Sequence, residues 1–207
     1  MIIISHRGYW KNPAEKNTLQ AFSRSFEMEF GTETDVRDHG GELVISHDMP
    51  TGNEMRLAQF IDLLAQQSLP LALNVKADGL AASIRNVMAD YNPDNWFVFD
   101  MSVPDTRMQL AAGNPVYARV SEVEPEPVYY DKISGIWLDA FHGDGWQVER
   151  IPDYLKDNKR VCLVSPELHG RDHKSLWQRL RESDFIADSR LTLCTDFPEE
   201  AREFFGV

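Results

Sequence analysis

Four short clusters in the first quarter of the chain carry the residues able to do chemistry: His6-Arg7-Gly8, Asn17-Thr18, Glu33-Thr34-Asp35 and His47-Asp48. Two histidines supply groups that gain and lose protons near neutral pH. Two carboxylates supply hard oxygen ligands of the kind that hold Mg2+ or Ca2+. An arginine beside the first histidine adds a fixed positive charge able to brace a phosphate or a carboxylate. This inventory suits acid–base cleavage of a phosphodiester held at a divalent ion, because an anionic phosphodiester repels nucleophiles unless its charge is offset.

Spacing sharpens the reading. Glu33 and Asp35 are two residues apart, so on a strand they point the same way, and Arg37 continues that row. A buried strand face does not hold such side chains unless they pair with one another or bind something. Asn74 lies at the end of a later apolar run, where a third carboxylate would complete the ligand set, and Lys76 follows it. Asn74 can still lend a carbonyl oxygen. Glu167, which follows the stiff Ser165-Pro166 exit of another apolar run, is a second candidate to replace the missing charge. Asp100 and Asp139 also follow apolar runs and are weaker candidates.

The elements that must position these groups are legible as an alternation. Strand-like runs cover Ile2 to Ser5, Gly31 to Val36, Leu43 to Ser46, Leu71 to Val75 and Trp96 to Phe99, then Val116 to Val120, Gly135 to Leu138, Lys159 to Val164 and Leu191 to Cys194. Most are β-branched or aromatic and finish in polar residues, as buried parallel strands do when they deliver groups to one rim. Helical periodicity marks Leu19 to Phe30, with Thr18 as its N-cap, and then Asn53 to Gln67, Leu80 to Tyr91, Asp172 to Ser183 and Glu199 to Phe205. The stretch Glu122 to Pro127, with prolines at 125 and 127, resists a helix, so one crossover is expected to be reduced.

This pattern predicts an α/β fold, a small (β/α)8 TIM barrel formed by residues 1–207 as a single domain, lean enough to be elliptical and to have lost some helices. An open doubly wound sheet is the rival. It usually brings a glycine-rich phosphate loop, and neither Gly-x-Gly-x-x-Gly nor a Walker loop occurs.

The 207 residues suffice for a substantial core, and 43% hydrophobic with 26% charged residues is an ordinary globular balance. A formal charge of −12 argues against nucleic acid and anionic membranes as partners, while a small anionic phosphodiester can still be met by a local positive pocket. No long apolar stretch suggests a membrane span or a secretory leader, so the expected location is the cytoplasm. Cys162 and Cys194 both sit in apolar runs and read as buried reduced thiols. Homo-oligomerisation stays open.

At the residues quoted above the chain resembles the glycerophosphodiester phosphodiesterase family, part of the phosphatidylinositol-specific phospholipase C-like barrels. The match runs through His6-Arg7-Gly8, Asn17-Thr18, Ala21-Phe22, Glu33-Thr34-Asp35 and His47-Asp48, with Thr195-Asp196-Phe197-Pro198 near the end. It is dense over residues 2 to 50. The resemblance implies that His6 and His47 are the catalytic acid–base pair, that Glu33 and Asp35 hold a divalent metal, Mg2+ or Ca2+, and that Arg7 and Lys76 contact phosphate. It also exposes departures. Asn74 stands where the family has a metal-binding carboxylate, Lys16 replaces the glutamate before Asn17, and Val164 to His169 replaces the family's strand-seven pattern.

Two functions follow as expectations. The first is metal-dependent phosphodiester cleavage of a glycerophosphodiester or polyol phosphate. The second is a phosphate-ester-binding or regulatory protein whose catalysis has weakened, which Asn74, Lys16 and the altered segment Val164 to His169 motivate. For Glu33 and Asp35 themselves, the alternative to metal binding is a structural ion-pair network with Arg7, Arg37 or Lys76.

Overall fold

The computed structural model describes residues 1–64 and 67–207. These residues fall into two compact units, one formed by residues 5–116 and the other by residues 1–4 with 117–207. Strand β1 (Ile2–His6) starts in the second unit and ends in the first.

In the unit formed by residues 5–116, β2 (Gly31–His39) pairs in parallel with β4 (Leu71–Val75), which pairs in parallel with β5 (Trp96–Phe99). The register sets Asp35 opposite Asn74 and Val36 opposite Val75. The expected strand at Leu43 to Ser46 forms as β3 (Glu42–Ile45), but it is not one of the parallel series: it folds back antiparallel on β2. Gly40 and Gly41, with φ of 59° and 86°, make the turn. His47 therefore leaves a hairpin arm rather than a parallel strand.

Helix α1 (Leu19–Glu27) begins where the sequence predicts it. The Thr18 hydroxyl accepts from the Ala21 amide at 3.4 Å, a long but well-placed cap. Its apolar stripe buries Phe22 and Phe26 against Phe60 of α2 (Leu57–Asp62), with ring centroids 4.6 and 5.8 Å apart. Helix α2 is shorter than the expected span Asn53 to Gln67. Arg56 bridges Val44 in extended conformation, and Glu54 is taken up in a turn by the Thr51 and Gly52 amides, so helix starts only at Leu57. Part of the expected span, residues 65 and 66, lies outside the described residues. Helices α3 (Ala81–Val87) and α4 (Val103–Ala111) complete this unit.

The other unit holds β6 (Tyr117–Val120), β7 (Gly135–Leu138), β8 (Arg160–Val164) and β9 (Leu191–Thr195), each parallel to the next. Cys162 and Cys194 are buried in β8 and β9. No helix forms among residues 121–134, as the proline content of that crossover foretells. Helix α5 (Trp146–Lys156) falls where the sequence reading names no element; it runs unbroken through Pro152 and buries Val148, Ile151 and Leu155 on one face. Helices α6 (Lys174–Arg181) and α7 (Pro198–Phe205) pack around Trp177, which meets Phe204 and Phe205 at 5.6 Å each.

The hydrogen-bonded strand order is β5-β4-β2-β1-β9-β8-β7-β6, with β3 attached only to β2. Setting β3 aside, this is the cyclic order of a (β/α)8 fold, and Val98 of β5 bridges in parallel to Val116, the residue before β6. Among the described residues no helix is long and apolar enough to cross a membrane.

Candidate active site

The end of β1 is shaped by its own sequence. Arg7 and Gly8 adopt left-handed backbone, φ 58° and 81°. A Cβ on Gly8 would lie 2.8 Å from both the carbonyl carbon and the Cβ of Ala21, so the third residue of His-Arg-Gly must be glycine on two counts. This turn lets the Arg7 amide donate both to the Glu33 carbonyl at 2.9 Å and to Glu33 Oε2 at 3.2 Å, while the Gly8 amide donates to Thr32 Oγ1 at 2.9 Å. His6 lies beside the same carboxylate, its Nε2 4.0 Å from Glu33 Oε2.

Asp35 is the hub. Its Oδ2 accepts from Asn17 Nδ2 at 2.8 Å and lies 2.8 Å from Arg7 Nε, a close ion pair whose angle falls short of a directed hydrogen bond. Its Oδ1 faces Lys76 Nζ at 3.4 Å and makes no hydrogen bond. Lys76 also approaches Asp100 Oδ2 at 3.7 Å. Asn74, opposite Asp35 on β4, buries its own Oδ1 without a hydrogen-bond partner. Arg7, Asn17 and Asp100, at φ of 58°, 59° and 70°, are non-glycine residues in left-handed backbone around this one cluster. Such strain persists where surrounding contacts over-determine it.

Glu33 and Asp35 are 1% and 0% exposed. Burial, reinforced by the charge of Asp35 and only partly offset by Arg7 and Lys76, pushes the Glu33 carboxyl up to about 8. The cluster holds buried oxygens with unused acceptor capacity at Asp35 and Asn74. Two carboxylates and a carboxamide oxygen fit a hard divalent cation. No grouping of three or more His, Cys, Asp or Glu suited to a metal occurs among the described residues.

Arg7 also lines an open cleft of about 570 Å³ together with Lys16, Asn17 and His47. The structure therefore brings His6, Arg7, Glu33, Asp35, Asn74 and Lys76 together around β1, β2 and β4, and places His47 in a cleft with Arg7. His47 is half exposed, and its Nδ1 lies 2.9 Å from Asp48 Oδ1. Arg37, next along the row of Glu33 and Asp35, serves the hairpin instead: its Nε donates to the His47 carbonyl at 3.1 Å.

Glu167 belongs to the other unit and is fully engaged there. Its Oε2 accepts from Ser165 Oγ at 2.5 Å, and its Oε1 accepts from Thr195 Oγ1 at 2.5 Å and from the Asp196 amide at 3.1 Å. Burial nonetheless raises its carboxyl above the ordinary range, against those hydrogen bonds. In the same unit Asp139 orients His169, Oδ1 to Nε2 2.7 Å.

Asn17 is the residue the sequence reading undervalues. It clamps Asp35 with its amide nitrogen and accepts from Thr34 Oγ1 at 2.9 Å. Its place before an N-cap threonine is visible as a motif, but a left-handed asparagine reaching a strand carboxylate is a tertiary fact.

No family profile matches the sequence, and no curated protein matches it at a significant level. Solved structures do. A protein from Galdieria sulphuraria assigned as a glycerophosphodiester phosphodiesterase matches with a TM-score of 0.75 and 15% identity, covering 100% of this chain and 98% of its own. A phosphodiesterase from Oleispira antarctica, solved with the product sn-glycerol-3-phosphate, matches with a TM-score of 0.69 and 16% identity over 100% and 97% of the two chains. A Ca2+-dependent phosphatidylinositol-specific phospholipase C from Streptomyces antibioticus matches with a TM-score of 0.56 and 12% identity over 99% and 95%. At these identities the likeness establishes the fold, a (β/α)8 TIM barrel, as the alternation of elements predicts.

Proposed function

We propose that the chain is a divergent member of the glycerophosphodiester phosphodiesterase family and cleaves a glycerophosphodiester or polyol phosphodiester with a two-histidine acid–base pair and a divalent ion. One observation carries the reading: the buried Asp35 and Asn74, opposite each other on β2 and β4, keep oxygens with acceptor capacity that no protein donor uses, with Arg7 paired to Asp35 and His6 beside the neighbouring Glu33. The full-length likeness to solved phosphodiesterases supports it. The Ca2+ dependence of the Streptomyces neighbour supports the choice of a divalent ion such as Ca2+, with Mg2+ as the alternative hard cation.

In this scheme His6 and His47 share the proton traffic. One takes a proton from the attacking water or adjacent substrate hydroxyl, and the other gives one to the departing alkoxide oxygen. Arg7 presents charge toward the cleft while its Nε holds Asp35, and Lys76 sits between Asp35 and Asp100, so both can offset phosphate charge without leaving a carboxylate bare. Glu33, Asp35 and Asn74 would hold the ion, which supplies positive charge against the phosphoryl oxygens. Glu167, with both oxygens already bonded, is assigned to its own hydrogen-bond network rather than to the ligand set.

The direct test is 31P NMR of a panel of glycerophosphodiesters with Mg2+ or Ca2+. Conversion to a phosphomonoester, lost on chelation, is expected. No conversion across the panel overturns the enzyme reading. A second reading, a phosphate-ester-binding protein, draws on Arg7 and Lys76, which already neutralise Asp35 with no ion involved. Phosphate-ester binding that is indifferent to metal, with no turnover, would select it.

A further inference from the structure

The stretch of β2 that carries the carboxylates holds two rows of side chains, and ion binding uses only one of them. Thr32, Glu33, Thr34 and Asp35 alternate, so the carboxylates share one face and the threonines the other. Both threonines are fully buried. A threonine on a buried face is ordinary packing unless its oxygen is used. Here each oxygen is spent on a turn that bears a residue of the site.

The first turn is His6-Arg7-Gly8. Three successive amides leave it for three acceptors: Arg7 donates to the Glu33 carbonyl, Gly8 to Thr32 Oγ1 and Tyr9 to the Ala21 carbonyl, each at 2.9 Å. The Arg7 and Tyr9 amides reach main-chain oxygens that any sequence supplies, whereas the Gly8 amide depends on the side chain at position 32. Thr32 is held in turn. Its oxygen also accepts from Ser5 Oγ at 2.9 Å, which fills both lone pairs, and its own proton is within reach of the Ser5 and Glu33 carbonyls at 3.1 and 3.0 Å. Ser25 of α1 ends the chain of hydroxyls, 2.8 Å from Ser5 Oγ.

The second turn is at Asn17. Thr34 Oγ1 donates to Asn17 Oδ1 at 2.9 Å, which fixes the end of the carboxamide that faces Asp35: Nδ2 donates to Oδ2 at 2.8 Å. The Asn17 amide donates to the Arg7 carbonyl at 2.9 Å and so joins the two turns. Arg7 and Asn17 both sit in left-handed backbone, which persists only under such outside contacts.

We infer that Thr32 and Thr34 are positioning residues, which set the geometry of His6, Arg7 and Asp35 by fixing these two turns. The catalytic consequence rests on the phosphodiesterase reading; the geometric one does not. Valine keeps the shape of threonine and removes its oxygen, leaving the buried Gly8 amide without its acceptor. A displaced catalytic group costs up to about 10²-fold in rate while the binding contacts remain, so the loss falls on kcat rather than KM.

The test compares Thr32→Val, Thr32→Ser and Ser25→Ala, the last removing a hydroxyl from the same network without touching either turn. Glycerophosphoinositol and glycerophosphocholine serve as substrates with Mg2+ or Ca2+. Thr32→Val should lower kcat by about 10- to 100-fold with KM within about threefold, and Thr32→Ser should recover kcat to within about threefold of native. Ser25→Ala should keep the native kcat and melt at a lower temperature, because it loses only a buried hydrogen bond. If Thr32→Val does not fold, Thr34→Val carries the same expectation. A native kcat in the valine variant, a loss that serine does not recover, or an equal loss in Ser25→Ala overturns the inference and leaves the phosphodiesterase reading intact. If the native protein turns over neither diester, NMR of the metal-free protein decides. Thr32→Val should then quicken exchange of the Gly8 amide by about tenfold and move the His6 ring resonances, and Ser25→Ala should do neither. Unmoved His6 resonances in Thr32→Val overturn the positioning role whatever the turnover.

Discussion

Two buried carboxylates in this protein meet opposite fates. Glu167 is enclosed by neutral donors that use both of its oxygens: two hydroxyls and a backbone amide, with Trp177 Nε1 in turn donating to the Ser165 hydroxyl at 2.8 Å. Asp35 is enclosed by cations and an amide, yet Oδ1 is left without a hydrogen bond, as is Oδ1 of Asn74 opposite it. The first network is closed and holds a turn in place. The second is open, with acceptor capacity unused on both Asp35 and Asn74, which is the condition under which a site takes up an ion or a substrate. Burial alone does not separate the two, because the side chains of Glu167 and Asp35 are 6% and 0% exposed. What separates them is whether the acceptor capacity is used.

The sharpest way to break this contrast is through the histidines. His6→Ala should lower turnover of a glycerophosphodiester by about 10²–10⁴-fold, the range of a lost general acid or base. His173→Ala, beside the Glu167 network with Nδ1 3.9 Å from Oε2, should leave turnover within a few-fold and show instead as a lower melting temperature. Equal losses of activity would erase the distinction. Next in size, Thr195→Val leaves Glu167 Oε1 with the Asp196 amide alone and should cost about 1–3 kcal/mol by chemical denaturation. A neutral result would mean that this network is not structural.

A third change sharpens the open side. Asn74→Asp restores a third carboxylate opposite Asp35 and should tighten divalent-ion binding by about tenfold in calorimetry, since affinity follows ligand charge count. Unchanged affinity would place the ion elsewhere. The last test concerns pH. The Glu33 carboxyl is raised above its ordinary value of 4.5 to about 8, chiefly by burial, so the folded state holds its proton more tightly than the unfolded state. In metal-free buffer its contribution should be fully present below about pH 4.5 and lost progressively as pH rises through about 8. Glu33→Gln should flatten that slope in denaturation curves recorded between these limits, and a slope left intact would assign it to another group.

Much of the site is legible in the sequence because it is local there. His-Arg-Gly, Glu-x-Asp and the threonine cap each encode their geometry within a few residues: a left-handed glycine against Ala21, two same-facing carboxylates, a helix start. The strand alternation is legible for the same reason, because buried parallel strands write continuous apolar runs. What escapes such a reading depends on tertiary context. Nothing in Leu43 to Ser46 tells a hairpin arm from a parallel strand, as the run is the same until β2 proves long enough to pair with it. Helix α5 carries Pro152 inside it, a residue that disfavours helix interiors and whose cost its buried face offsets. Glu167 resembles a ligand because its strand-end position is visible in sequence, whereas the donors from Ser165 and Thr195, 28 residues further on in the second case, are not.

The most direct test of the open-site account is a divalent-ion titration of phosphodiester turnover in the native protein, Asp35→Asn and Glu167→Gln. The account predicts saturable activation by Mg2+ or Ca2+ in the native protein, a response unchanged within a few-fold in Glu167→Gln, and loss of both activity and ion dependence in Asp35→Asn. An ion response that survives Asp35→Asn and disappears in Glu167→Gln would contradict it.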